Sequence, residues 1–214
     1  LAEEFDLIRA LEAGTKFFRA RPCVAGQPYQ TAEQLGPPPA EKAVQANRMN
    51  PPGIPMMYSA ETASIAGRET RSAFVTVGRF EIERDIRVLD LADLPEIPGI
   101  FSGVERRIRL GLIFFHAFSR KIARPVDRTD RINIEYIPSQ VVTEFIRDTK
   151  VNGQPIEGIR YPSTFDQNIR NLVLFANQDD LKEPDGRPVS KSGYPPPVPW
   201  IRLLDAQEVD LSVS

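Results

Sequence analysis

Residues 47–69, NRMNPPGIPMMYSAETASIAGRE, leave the chain few ways to fold through them. Arg48 stands just before Pro51, Pro52 and Gly53, where two fixed φ angles and a permissive glycine make a rigid turn. The short apolar run at 54–59 predicts a strand bearing Tyr58. Residues 61–71 are mostly small or polar and predict a helix carrying Glu69. A cation, a phenol and a carboxylate thus hang on three consecutive elements that can close around one pocket. Such a set suits a ligand with phosphates, a flat ring and sugar hydroxyls, which are the parts of a dinucleotide.

The rest of the chain reads as mixed strands and helices. Leu1, Phe5, Ile8 and Leu11 fall at helical spacing before Gly14, so a helix is expected over 1–15, as the end of a preceding domain. Residues 16–22 alternate apolar and basic side chains, predicting a strand that bears Arg19 and Arg21. A loop through LGPPP at 35–39 leads to a short helix at 41–45. Residues 73–91 suit two strands broken near Arg84 and Asp85. The longest helical pattern is 102–121, with Ser102 as N-cap and Glu105 completing a capping box. A further helix is expected over 138–150, with Pro138 in its first turn. Residues 158–163 and 171–175 read as the last core strands. The polar, proline-rich run after Asn177 predicts a mobile loop, with 200–204 returning as an edge strand. Without regular strand–helix–strand alternation, the pattern favours an α+β fold over a doubly wound parallel sheet. The expected division is a helix at 1–15, a core domain at 16–177 and a proline-rich tail at 178–214.

Composition removes several function classes. A chain of 214 residues and 24.0 kDa can bury one core. A net charge of −2 gives no global field for nucleic acid. One cysteine and one histidine exclude an internal disulfide and leave no thiolate or imidazole metal site. His116 stands among Phe114, Phe115 and Phe118, where a packed histidine is the simple reading. No run approaches the roughly 20 apolar residues of a membrane span. A cytoplasmic protein with no membrane or nucleic-acid partner is expected. The chain holds no G-x-S-x-G, G-x-G-x-x-G or G-x-x-x-x-G-K, so phosphates would fall to arginines.

An ordered series of motifs makes the reading more specific. FFRAR at 17–21, LGPPP at 35–39, NRMNPPGIPMMYSAE at 47–61, Glu69, LDL at 89–91, YIPSQVVTEFI at 136–146 and GIRYPS to NLVLF at 158–175 occur in that order. Together they resemble the RES domain, named for an arginine, a glutamate and a serine. The resemblance implies a fold related to ADP-ribosyltransferase toxins, with a mixed or split sheet and surrounding helices. It also implies a toxin of toxin–antitoxin systems that degrades NAD and is held in check by a protein antitoxin or a regulatory domain. Matched position by position, Arg48, Glu69 and Ser163 take the places of the family arginine, glutamate and serine. Arg19, Tyr58 and Asn171 match further pocket positions, and Ser139 and Gln140 a helix start that faces the ligand. The chain departs from the pattern at Asn47, where the family often has glycine, and at Thr70 and Arg71, where some members place a second acid.

The implied reaction removes nicotinamide from NAD, with water, phosphate or a protein side chain as acceptor. Cleaving that N-glycosidic bond builds positive charge on the ribose, which a carboxylate bonded to ribose hydroxyls stabilises. Glu69, Arg48 and Tyr58 are therefore the expected catalytic residues. Arg19, Ser139, Gln140, Ser163 and Asn171 are the expected binding residues, with no cofactor beyond NAD as substrate. Guanidinium groups at 19 and 48 would grip the pyrophosphate, and nicotinamide leaves neutral, so no general acid is required. The alternative is a catalytically silent module that binds a nucleotide or protein with the same fold.

Overall fold

The computed structural model describes residues 2, 4–124, 132–166, 168–190 and 198–212. In chain order the elements are β1 (Ile8–Leu11), β2 (Lys16–Pro22), α1 (Ala32–Leu35), β3 (Met57–Ala60), α2 (Ala63–Thr70), β4 (Phe74–Ile82) and β5 (Ile86–Asp90). There follow α3 (Arg106–Ala123), α4 (Ile132–Asp148), a hairpin of β6 (Lys150–Val151) and β7 (Gln154–Pro155), β8 (Gly158–Pro162), β9 (Arg170–Leu174), β10 (Leu181–Lys182) and β11 (Ile201–Asp210). Single 3-10 turns lie at Ala40–Lys42 and Gln178–Asp180.

Nine of the strands form one mixed sheet in the order β1-β5-β8-β9-β3-β2-β4-β11-β10. Two neighbouring pairs, β5 with β8 and β10 with β11, run parallel, and the rest run antiparallel. The expected α+β class holds. The sheet is nearly split: β2 and β3 share only the pair Phe18↔Ala60, whereas β2 pairs with β4 over seven positions and β3 with β9 over four. Period-2 alternation sends side chains to two cores. Met57, Phe17, Phe80, Val88 and Leu174 fill one face. Leu89, Ile159 and Val173 face the other, where Phe115, Phe118 and Ile122 of α3 and Ile146 of α4 cover them. Helix α2 packs Ile65 and Ala66 against Ala60, Phe18 and Ala20, across the line where the sheet parts.

The Pro-Pro-Gly turn forms as its residues dictate. Gly53 has φ of 86°, a region open to glycine, and its N–H donates to the Ala43 carbonyl at 2.8 Å.

Several expectations are corrected. The N-terminal segment is not a helix: residues 8–11 pair with 86–89 of β5 as an outer strand of the sheet. Its four apolar positions suit a helix in isolation, but a sheet edge offers Ile8 and Leu11 more burial than a lone helix would, and tertiary pairing overrides the spacing. Leu1 lies outside the described residues. Ser102 does not cap α3; its hydroxyl donates to the Gly99 carbonyl at 2.8 Å and closes a turn, and the helix begins four residues later with Glu105 at the cap position but no side-chain cap bond. Helix α4 starts at 132, so Pro138 stands inside it and not in its first turn. The tail after Asn177 is partly ordered. Its 3-10 turn and β10 lead towards β11, which lies inside the sheet beside β4 and is ten residues long. The proline-rich stretch 191–197 lies outside the described residues.

Candidate active site

A cavity of about 880 Å³ opens where β2 and β3 part. Strands β2 and β3, helix α2, the loop at 44–49, the end of α3, Tyr136 of α4 and the loop after β8 contribute to its wall. Arg19, Arg48, Tyr58, Glu69 and Asn171 all line it. Sequence positions more than 120 residues apart are thus brought around one space.

Glu69 occupies the last turn of α2. A carboxylate there opposes the negative end of the helix dipole, so local stability does not explain its presence. Its Oε1 accepts from Asn171 Nδ2 at 2.9 Å and, at the long distance of 3.5 Å, from the Ser163 hydroxyl. Both bonds fall on Oε1, which orients the carboxylate and leaves Oε2 without a bond among the described residues. The helix stops at once, with Arg71 in a left-handed conformation at φ of 55°. Ser163 is buried and accepts from the Phe165 N–H at 3.2 Å, which holds its hydroxyl towards Glu69. Asn171 is buried too, and its Oδ1 has no hydrogen-bond partner among the described residues. A buried orphan acceptor is costly.

Arg48 leaves the loop before the Pro-Pro-Gly turn. Its Nη1 donates to the Lys121 carbonyl at 2.9 Å, in the last turn of α3, where free carbonyls attract a cation. The guanidinium also lies 5.6 Å from the centre of the Tyr136 ring. Arg19 donates from Nε to the Leu35 carbonyl at 2.8 Å and from Nη1 to the Tyr58 carbonyl at 2.7 Å. Burial, with a smaller contribution from neighbouring Arg21, lowers its pKa to about 10, which leaves it a cation at neutral pH.

Tyr58 lines the cavity, but its hydroxyl is engaged: it donates to Asn50 Oδ1 at 2.7 Å and accepts from the Met49 N–H at 3.3 Å. Burial pushes its pKa well above the usual phenol value, so it stays protonated. Tyr161, also on the wall, is pushed up by burial and then by Tyr58 and Glu69.

Ser139 and Gln140 are placed differently from the helix start expected of them. Both are buried within α4 and neither lines the cavity. The Ser139 hydroxyl donates to the Arg48 carbonyl at 2.6 Å, and Gln140 Nε2 donates to the carbonyls of Asn47 at 2.8 Å and Asn50 at 3.2 Å. They hold the backbone that carries Arg48. Sequence reasoning passed over Asn50, Tyr136, Tyr161 and Phe165. Tyr136 opens the YIPSQ motif, which was signal enough; nothing local marks Asn50.

A model of the RES domain matches residues 16–188. The chain belongs to the RES family. No curated protein matches the chain. The RES domain has an ADP-ribosyltransferase-like fold, and the family is linked to NAD-related toxin function. The RES match begins at β2 and runs past β10, so it contains every residue of the cavity described above. No helix among the described residues is long and apolar enough to cross a membrane, and none of their His, Cys, Asp and Glu side chains group as a metal site.

Proposed function

We propose that this RES domain binds NAD in the cleft between β2 and β3 and breaks the bond between nicotinamide and ribose. One observation carries the reading: Glu69, fixed through Oε1 by Asn171 and Ser163, shares a cavity with the guanidinium groups of Arg19 and Arg48. The carboxylate would accept from ribose hydroxyls and stabilise the positive charge that develops as the bond lengthens. Arg19 and Arg48 would bind the pyrophosphate, with bidentate contacts doing the work that a glycine-rich loop does elsewhere. The Tyr58 ring would stack on nicotinamide. Water, phosphate or a protein side chain would then form the new bond to the ribose carbon as the bond to nicotinamide breaks. As a cytoplasmic NAD-consuming toxin, the domain would need a protein antitoxin or regulatory domain to restrain it.

Incubating the purified chain with NAD and quantifying nicotinamide by chromatography tests the activity, and product masses with and without phosphate identify the acceptor. Free nicotinamide that disappears in Glu69→Gln supports the reading. NAD that binds but stays intact would favour the silent binding module.

A further inference from the structure

Strands β3, β9 and β8 lie side by side, and their register sets Ala60, Asn171 and Tyr161 in one row. Directly paired residues point to the same face of a sheet, so the side chains of Asn171 and Tyr161 are neighbours. All three residues line the cavity. Tyr58 stands two residues before Ala60 and therefore shares their face. The cleft thus holds two phenols near Glu69, and they are engaged differently.

The Tyr58 hydroxyl is committed to the Arg48 loop, where it donates to Asn50 Oδ1. Tyr161 packs in the cluster of Leu89, Leu91, Phe115 and Val173, which leaves the residue 7% exposed. Burial holds the proton on its oxygen, so the group is a donor at any working pH. That oxygen feels both the Glu69 carboxylate and the Arg48 guanidinium, and the Asn171 amide approaches it as a donor. Among the described residues no acceptor takes the phenol proton.

Ser163 and Asn171 direct their donors to Glu69 Oε1, and Oε2 is left for a ligand. A sugar hydroxyl that donates to Oε2 still carries lone pairs, which inside a cleft need a donor of their own. We propose that Tyr161 contacts the substrate, its hydroxyl donating to the oxygen of a nicotinamide-ribose hydroxyl whose proton goes to Glu69. This assignment rests on the reading that the cleft takes NAD. An acceptor and a donor then grip one hydroxyl, and a dinucleotide lacking it loses both contacts.

Tyr161→Phe removes only the oxygen and keeps the packed ring, and circular dichroism verifies the fold of the variant. Nicotinamide release by parent and variant is compared on NAD and on two analogues, one lacking the 2′-hydroxyl and one the 3′-hydroxyl of the nicotinamide ribose. On NAD, kcat/KM should fall about tenfold in the variant, as for loss of one hydrogen bond from a neutral donor. On the analogue that lacks the contacted hydroxyl, variant and parent should agree within about twofold, because the donor has nothing left to meet. A phenol that only supports the wall would cost the same factor on all three substrates. That equal loss overturns the proposal and leaves the NAD reading standing, as does a variant that matches the parent on NAD. A parent that neither binds nor cleaves NAD removes the NAD reading and this assignment with it. Should NAD bind and stay intact, the same ratios are read from dissociation constants by calorimetry, with the same outcomes deciding.

Discussion

The guanidinium of Arg19 donates to the carbonyl of Tyr58 at the place where β2 and β3 part. A strand carbonyl that would otherwise pair with the neighbouring backbone is satisfied by a side chain, and a second carbonyl, that of Leu35, is taken by Nε. Buried carbonyls must find a donor, and this arrangement lets the sheet stay open without leaving them unpaired. The opening is the cleft.

Arg19→Lys should therefore cost both fold and ligand. An ammonium cannot span the two carbonyls as the planar fork does, and one is left unpaired, at about 1–3 kcal/mol. Thermal denaturation should show a lowered Tm, and calorimetry a weaker NAD affinity. Unchanged values in both would remove Arg19 from this role. The depressed pKa also has a sign. Between about 10 and the ordinary guanidinium value the unfolded chain binds more protons at this position, so its contribution to stability rises with pH there. The cation is lost over the same range, and NAD affinity should stay level from neutral pH towards 9 and then fall as pH approaches 10.

Glu69→Gln keeps the shape and the Asn171 contact while removing the charge. Nicotinamide release should fall by about 100-fold or more, with NAD affinity little changed, as when a contact made chiefly in the transition state is lost. A variant turning over at the parental rate would exclude Glu69 from the chemistry.

Arg48→Ala should weaken NAD binding as well as rate. The residue is anchored by the Lys121 carbonyl and the Tyr136 ring, so its guanidinium is pre-placed and little ordering cost accompanies binding. Calorimetry of NAD binding checks this, and an unaltered dissociation constant would place Arg48 outside the site.

How much of this was legible in the chain depends on how far each signal is local. Strand β2 was readable to the residue, because its alternation and the proline at its end are contained in seven positions. The break at Arg84 and Asp85 between β4 and β5 was equally plain. Residues 8–11 were misread because four apolar positions fit a helix, and only pairing with β5 decides against it. The return of β11 beside β4 was underestimated because its outer half, from Asp205 to Asp210, is polar and half exposed, and its strand identity comes from the partner. In the site, Arg48, Glu69, Ser163 and Asn171 were reachable through motif order. That Ser139 and Gln140 point at the Arg48 loop, more than 90 residues away in sequence, was not; no periodicity encodes which backbone a buried amide will meet.

Tyr58→Phe separates the ring from the hydroxyl. The hydroxyl donates to Asn50, which in turn donates to the Ile54 carbonyl at 2.7 Å, while Gln140 bonds the Asn50 carbonyl from the other side. Losing the phenol strips a buried acceptor of its partner, at about 1–3 kcal/mol, and loosens the loop that carries Arg48. The ring remains available for stacking. The variant should therefore melt lower and show a raised KM for NAD, while kcat changes by less than about tenfold. Because burial holds the phenol protonated, it serves as no base, and the alkaline side of the kcat profile should be superimposable for the variant and the parent. A kcat loss as deep as that of Glu69→Gln, or the disappearance of an alkaline limb, would instead make the Tyr58 hydroxyl part of the chemistry.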